Sequence, residues 1–356
     1  MRRKLADVLA GILPVDPDLA VAGQARLDDL TKPKGSLGRL ESLALQLFMI
    51  QGGAEPKADP ARIYTCAGDH GVAAEGVSLF PQEVTRQMVY NFMSGGAAIN
   101  VLARTAGVDL KVVDAGCLGD DFAAHPNLVR GKIGRGTANI AAGPAMSQDD
   151  CVRALLLGVS LADQARAEGV RSLGTGDMGI ANTTPSTALF CAYLGLAPLE
   201  ITGPGTGLAP AAVQAKAKVV ERALAANRAA VDSGDALAIL AALGGYEIAC
   251  LAGLVIGAAA NKMAVAVDGF ISTAAYVAAW KLCPAVADYA IFSHASAETG
   301  HVAVLAALGA RPVFDLGMRL GEGTGAALAL FTLRCAAAIF SEMATFSSAG
   351  VSDAAE

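Results

Sequence analysis

Residues Ile63-Tyr-Thr-Cys-Ala-Gly-Asp-His-Gly71 decide the fold. The run lacks the polar–apolar alternation of a half-exposed strand and stops abruptly at glycine and charge. That is how a parallel strand covered on both faces ends at its carboxyl edge. Working outward, the same plan recurs. Leu110 to Val113 leads to Asp114 and Gly116, and a run near 171 leads to Gly174-Thr-Gly-Asp177. Ala264 to Val267 leads to Asp268 and Gly269, Val286 to Phe292 to Ser293-His-Ala-Ser-Ala-Glu298, and Arg311 to Leu316 to a glycine-rich turn. Helical patterns separate nearly all of these, while residues 118–146 read as irregular. Six strands, near 63, 110, 171, 264, 288 and 312, predict an α/β fold with a doubly wound, Rossmann-like parallel sheet. Ligands of such sheets lie outside the carboxyl ends of the strands. The plan therefore gathers Asp69, Asp177, Asp268, Ser296 and Glu322 around one crevice.

The last turn is the most chemical. In Asp315-Leu-Gly-Met-Arg-Leu-Gly-Glu-Gly-Thr-Gly325 one carboxylate, Glu322, stands between glycines, and a helix opens at about Thr324. Glycines let the backbone approach a ligand, and a helix start offers N–H groups to an anion. The stretch reads as an anion cradle holding a general base. Taken alone it is equally well a solvated strand-to-helix turn, and the convergence of the other strand ends is what raises it.

Composition agrees with a small-molecule enzyme. Of 356 residues 54% are hydrophobic and 17% charged, enough to bury a large core and too apolar for a disordered chain. A net charge of −6, no block of Lys or Arg and 5% aromatic residues argue against nucleic acid as a partner. The apolar runs Ala188–Leu199, Ile248–Ala260 and Gly269–Trp280 fall short of the roughly 18–20 residues that span a bilayer, so no membrane association is expected. Seven scattered cysteines without a C-x-x-C pair, and an N-terminus that reads as an amphipathic helix, predict a cytoplasmic protein.

The first 55 residues read as helices over 5–13, 18–30 and 37–51. The turn Thr31-Lys-Pro-Lys-Gly-Ser36 lies between the last two, with Ser36 a candidate cap and its cations either facing a phosphate or solvated. Gly174, Gly176 and Gly179 form a literal G-x-G-x-x-G with Glu200 downstream, the mark of a dinucleotide site. Asn182-Thr-Thr-Pro185 delays the helix that mark requires, so the glycines read as a loop near a phosphate or sugar, with Asp177 pointing into the pocket. His294 and His301, with Glu298, could make a metal site only on a helix; structural hydrogen bonding is the better reading, and neither metal nor cofactor is expected.

Several stretches together resemble one family, the nicotinate-nucleotide–dimethylbenzimidazole phosphoribosyltransferases. They are Thr31-Lys-Pro-Lys-Gly-Ser-Leu-Gly-Arg-Leu40, Asp69-His-Gly, Pro81-Gln-Glu-Val-Thr-Arg-Gln-Met88 and Ser94-Gly-Gly-Ala-Ala-Ile99. Gly176-Asp-Met-Gly-Ile-Ala-Asn-Thr-Thr184, Val267-Asp-Gly-Phe270, Ser293-His-Ala-Ser-Ala-Glu298 and Arg319-Leu-Gly-Glu-Gly-Thr-Gly325 complete the set, in family order along the whole chain. The resemblance implies transfer of the phosphoribosyl group of nicotinate mononucleotide to a benzimidazole nitrogen, with Glu322 as the catalytic base. It implies that Gln87, Asp177, Leu79, Phe80 and Met178 hold the base. Gly179, Asn182, Thr183, Gly205, Lys216, Asp268, Ser296, Gly321 and Gly323 would lie at the nucleotide. It also implies a homodimer whose small helical domain, residues 1–58 and 332–356, joins both termini beside a catalytic domain, residues 59–331.

Two positions depart from the family's pattern. Asp177 stands where a glutamate is usual, and Gly203-Pro-Gly-Thr-Gly207 lacks a common arginine; these bear on base preference and nucleotide affinity and leave Glu322 untouched. Two other readings remain at this point: a NAD-dependent oxidoreductase resting on the glycine fingerprint, and a relative that binds a base without catalysis.

Overall fold

A computed structural model of the chain describes residues 2–205 and 207–352. Six strands form one sheet: β1 (Ala61–Gly68), β2 (Asp109–Gly116), β3 (Leu128–Arg130), β4 (Ser172–Met178), β5 (Ala264–Val267) and β6 (Ala290–Phe292). Their order is β3-β2-β1-β4-β5-β6, and every pairing is parallel. The chain winds outward from β1 to β3, returns to lay β4 against the other side of β1, and winds outward again. The loops leaving β1 and β4 therefore diverge, and that divergence opens a crevice at the carboxyl edge.

One expected strand moves. Residues 311–316 form no strand and contribute a single bridge, Phe314 beside His294. The sixth strand, β3, lies inside the stretch read as irregular. Three residues are too short a run to show periodicity, and the segment at 311 is only half-covered, so its pairing stops after one residue.

Both faces of the sheet are covered, as an unalternating strand requires. Tyr64 and Cys66 of β1 enter one apolar cluster with Leu155, Leu251 and Val255, while Ile63 and Ala67 enter a second with Phe92, Ala326 and Leu330. The nearly uncharged helix Tyr246–Ala260 forms the floor of the first cluster. Every one of its residues up to Ala259 is buried. It lies backbone against backbone on the helix Gln148–Ala167: a Cβ on Gly158 would overlap the carbonyl of Cys250, and one on Gly253 that of Leu155.

The termini meet beside this layer. Helices Arg2–Ala10, Leu19–Asp28 and Arg39–Ile50 precede β1, and the helix Thr324–Glu342 crosses the sheet to join them. Phe48 stacks on Phe340 at 5.2 Å, Arg26 donates to the carbonyls of Phe340 and Met343, and Leu30 bridges Thr345. Ser36 does not cap the third helix. Gly38, at the positive φ of 53°, occupies that position, and Lys32 of the basic turn is a buried ion-pair partner of Glu41 at 2.8 Å.

Thr324–Glu342, not weighed among the apolar runs, is long and apolar enough to cross a membrane by length and composition alone. Its buried face, from Ala326 to Phe340, packs in the protein interior, which is how a core helix passes the same test.

Candidate active site

A cleft of about 290 Å³ opens over the carboxyl ends of β4, β5 and β6. Its wall is built from Asp177 to Thr183 after β4, Gly269 to Ile271 after β5, and His294, Ser296 and Glu298 after β6, with Arg319 to Gly321 closing one side and Phe80 overhanging.

Glu322 lies at the rim of β1 and β4, only 5% exposed and at φ 64°, a left-handed backbone that few residues other than glycine adopt. The turn is fixed from three sides. Thr65 Oγ1 donates to the Glu322 carbonyl at 2.7 Å, Ile99 N–H donates to its Oε2 at 3.3 Å, and a Cβ on Gly176 would overlap its carbonyl. Strain held so firmly is typical of a residue whose side chain must be aimed. Burial raises the Glu322 pKa, and the Ile99 N–H only partly offsets this. The carboxyl is thereby moved toward the range useful to a general base.

The helix start after Glu322 is not an open anion site. Asp268 accepts from the N–H groups of Gly323 (3.1 Å), Gly325 (2.7 Å) and Ala326 (3.0 Å). Expected at the nucleotide, Asp268 is instead a buried cap for the helix dipole, and Gly323 N–H is already spent on it. Burial pushes the Asp268 carboxyl up to about 7, against those three hydrogen bonds.

Asp177 is also buried. Asn182 donates to its Oδ2 at 2.9 Å, while Oδ1 has no hydrogen-bond partner among the described residues. Burial, and then the neighbouring Asp268 charge, push its pKa well up. Across the cleft floor the Lys216 ammonium is 1% exposed. It donates to Thr183 Oγ1 (2.7 Å) and Gly203 O (3.3 Å), and burial lowers its pKa to about 8. Glu298 Oε1 accepts from Gly205 N–H at 3.0 Å, and Arg319 reaches Gly205 O at 3.4 Å, so the glycine loop is tied to both walls.

Of the expected residues, Asp177, Met178, Gly179, Asn182, Thr183, Gly205, Ser296, Gly321 and Phe80 line this cleft. Glu322, Gly323, Lys216 and Asp268 lie just behind its surface. Leu79 is exposed beside Phe80. Gln87 departs from expectation: it faces a neighbouring depression with Asp69, Arg86, Tyr90 and Leu118. Asp69, placed in the main crevice by the strand plan, turns there too, accepting from Leu118 N–H at 2.8 Å. Gly174 and Gly176 are strand residues of β4, and a helix follows at Thr183, so the glycine fingerprint has no phosphate turn and the dinucleotide reading loses its basis.

Sequence reasoning missed the ion pair beneath this wall. His70 Nε2 and Glu247 Oε1 lie 2.6 Å apart, both almost fully buried. Burial disfavours the His70 charge, but the Glu247 carboxylate outweighs it and raises the His70 pKa. A Cβ on Gly179 would press on both side chains and on the Gly68 carbonyl, so this loop rests directly on the pair. Glu247 sits in an otherwise apolar helix, and that misplaced carboxylate was the available signal. Among the described residues no group of three or more His, Cys, Asp or Glu gathers as a metal site. His301 is structural: Nδ1 accepts from Ser296 N–H at 2.8 Å, and Nε2 meets Thr273 Oγ1 at 2.9 Å.

Comparison with known proteins gives this geometry a family. A phosphoribosyltransferase family model matches residues 12–351. The chain is 68% identical over 353 residues to the nicotinate-nucleotide–dimethylbenzimidazole phosphoribosyltransferase of Solidesulfovibrio magneticus, covering 99% of this chain and 100% of that one. It is 53% identical over 352 residues to the protein of the same name from Chlorobaculum parvum, covering 99% of both. The crystal structure of CobT from Thermus thermophilus superposes with a TM-score of 0.89 at 44% identity, over 95% of this chain and 100% of that one. With the motifs in order along the sheet edge and these matches running almost end to end, the chain belongs to the nicotinate-nucleotide–dimethylbenzimidazole phosphoribosyltransferase family.

Proposed function

We propose that this protein transfers the phosphoribosyl group of nicotinate mononucleotide to 5,6-dimethylbenzimidazole or a related azole. The products are α-ribazole 5′-phosphate, for the lower ligand of cobalamin, and nicotinate. The observation that carries the reading is Glu322, a buried carboxylate in a left-handed turn at the sheet edge with its pKa raised.

The chemistry fits that group. An azole becomes a strong nucleophile as its N–H proton leaves, and Glu322 takes that proton. The C1′–N bond to the pyridinium breaks through an oxocarbenium-like centre, its electron pair staying on nicotinate, while the azole nitrogen bonds to the opposite face of C1′. The cationic leaving group already activates the bond, so the reaction asks for no metal or cofactor. Phe80 and Met178 offer apolar surface to the base, with Asp177 Oδ1, unpartnered among the described residues, at its edge; Gln87 faces the adjoining depression, and Leu79 is exposed beside Phe80. Lys216 and the backbone of Gly179 and Gly321 suit a phosphate, with Asn182, Thr183 and Ser296 beside them, while Gly205, whose N–H is held by Glu298, shapes the loop next to them. Asp268 and Gly323 act by holding the Glu322 turn.

The same reading makes the protein a cytoplasmic homodimer without nucleic-acid or membrane partners. All seven cysteines are free thiols, which suits a reducing compartment. Tyr90, Val101 and Leu118 are exposed apolar side chains that a second copy could cover. We assign residues 1–58 and 332–356 to a helical domain beside the catalytic domain, residues 59–331; the stacking of Phe48 on Phe340 supports that assignment, and the continuous helix Thr324–Glu342 spans its boundary.

The test is product analysis with nicotinate mononucleotide and 5,6-dimethylbenzimidazole, with Glu322→Gln alongside. Wild type should release nicotinate and ribotide, and the variant should lose at least a hundredfold in kcat while still binding both substrates. Wild type inert toward this base, adenine and other azoles alike would remove the transferase reading.

A further inference from the structure

His294 and His301 both follow β6, one in the loop and one at the start of the helix His301–Ala307, yet only His301 is bonded on both nitrogens. The His294 ring is 1% exposed, lines the cleft, and among the described residues forms no hydrogen bond of normal geometry at either nitrogen. Its nearest charged neighbour, Asp268 Oδ1, stands 4.0 Å from Nε2 and is committed to the N–H groups of Gly325 and Ala326. Two glycines make room for the ring. A Cβ on Gly325 would overlap it, and one on Gly269 would lie 3.2 Å from Nε2.

A buried imidazole with two orphan nitrogens costs about 1–3 kcal/mol for each unmet group. Such an orphan on a cleft wall marks a place where a ligand supplies the missing bonds. Burial lowers the His294 pKa, and the nearby Ala295 backbone and Asp315 carboxylate, which favour the charge, do not overcome it. The ring is therefore neutral and holds one donor and one acceptor. A phosphate or carboxylate would use only the donor. A sugar hydroxyl, which gives and takes a proton in hydrogen bonding, matches either nitrogen.

We propose that His294, unpartnered on the cleft wall between Gly269 and Gly325, binds a ribose hydroxyl of the mononucleotide and selects ribo over deoxyribo substrates. This rests on the phosphoribosyl-transfer reading for its ligand, and it names a group that neither the base pocket nor the phosphate contacts require. Ser296, two residues on, lines the same wall.

The experiment is direct binding in the absence of any base, so that no turnover is needed. Titration calorimetry would compare nicotinate mononucleotide with its 2′-deoxy and 3′-deoxy counterparts on wild type, His294→Phe and His294→Asn. Wild type should bind the parent at least about tenfold tighter than one of the deoxy forms. The Phe variant should lose about that factor for the parent and no longer discriminate, and the Asn variant, which keeps a donor and an acceptor, should recover part of both. A Phe variant that discriminates as wild type does overturns the proposal. If that variant fails to fold, equal binding of all three nucleotides by wild type does the same. Wild type that binds and discriminates yet yields no ribotide would sink the transferase reading and leave this one standing.

Discussion

Lys216→Met should make the ligand-free protein more stable and the enzyme worse. The ammonium is buried with a pKa of about 8 against 10.5 for an exposed lysine. This is a depressed folded-state value. The contribution to stability is intact above about 10.5 and is lost as the pH falls through 8. At about 1.4 kcal/mol per tenfold, keeping the charge buried at pH 7 costs roughly 3 kcal/mol. Methionine has nearly the same shape and no charge, so it removes that cost. It leaves Thr183 Oγ1 and Gly203 O without their donor, a loss of about 1–2 kcal/mol. The net expectation is a gain of about 1–2 kcal/mol at pH 7, shrinking to nothing by about pH 9.5, where wild type no longer carries the full penalty. Urea unfolding at both pH values reads this directly, and calorimetry with nicotinate mononucleotide should show affinity reduced at least tenfold. A variant equally destabilised at pH 7 and 9.5, with nucleotide affinity unchanged, would refute both the buried charge and its task.

Three other perturbations follow from the geometry. Ala181→Gly should raise the urea midpoint by the equivalent of about 0.5–1 kcal/mol, because Ala181 sits at φ 76° where a Cβ is strained; a lower midpoint would show that the loop needs the side chain. Gly176→Ala drives a methyl into the Glu322 carbonyl and should cost about 1–3 kcal/mol of stability and on the order of a hundredfold in kcat. Full turnover in that variant would mean the turn is free to move. Because burial raises the Glu322 pKa, its base form is lost as pH falls through a value above 4.5, so kcat should show an acid limb above that pH which Glu322→Gln abolishes in its residual rate; a profile flat down to pH 4.5 would contradict it.

The sheet was legible because its central strands are unalternating apolar runs ending in glycine and acid. β1 and β5 carry that signature plainly and β4 only its glycine-and-acid end, whereas β3, three residues long between loops, carries none. The site was legible as a set of loops and less so as a set of contacts. A sequence places Asp268 at a strand end, but only the fold shows that the nearest unmet donors belong to the helix after Glu322, so a residue expected at substrate became the cap of that helix. His70 and Glu247 lie 177 positions apart, and their pairing depends on a crossover that no local pattern encodes. His294 and His301 look alike in sequence and part company only when Thr273 takes one of them.

The joining of the two termini sets an order on the making of this protein. Synthesis runs from the amino end to the carboxyl end, so β1, β4 and β5 emerge from the ribosome well before Glu322 and the helix Thr324–Glu342. Until that last segment arrives, the second apolar cluster lacks Ala326 and Leu330, Asp268 has no helix to cap, and the first helices lack Phe340 to stack against. Long-range closure of this kind is slow, and it leaves the apolar sheet face open while it waits. A nascent chain stalled short of residue 322 would carry most of the residues that line the cleft and none of the proposed catalyst, so reactivity waits for the Glu322 turn to be made.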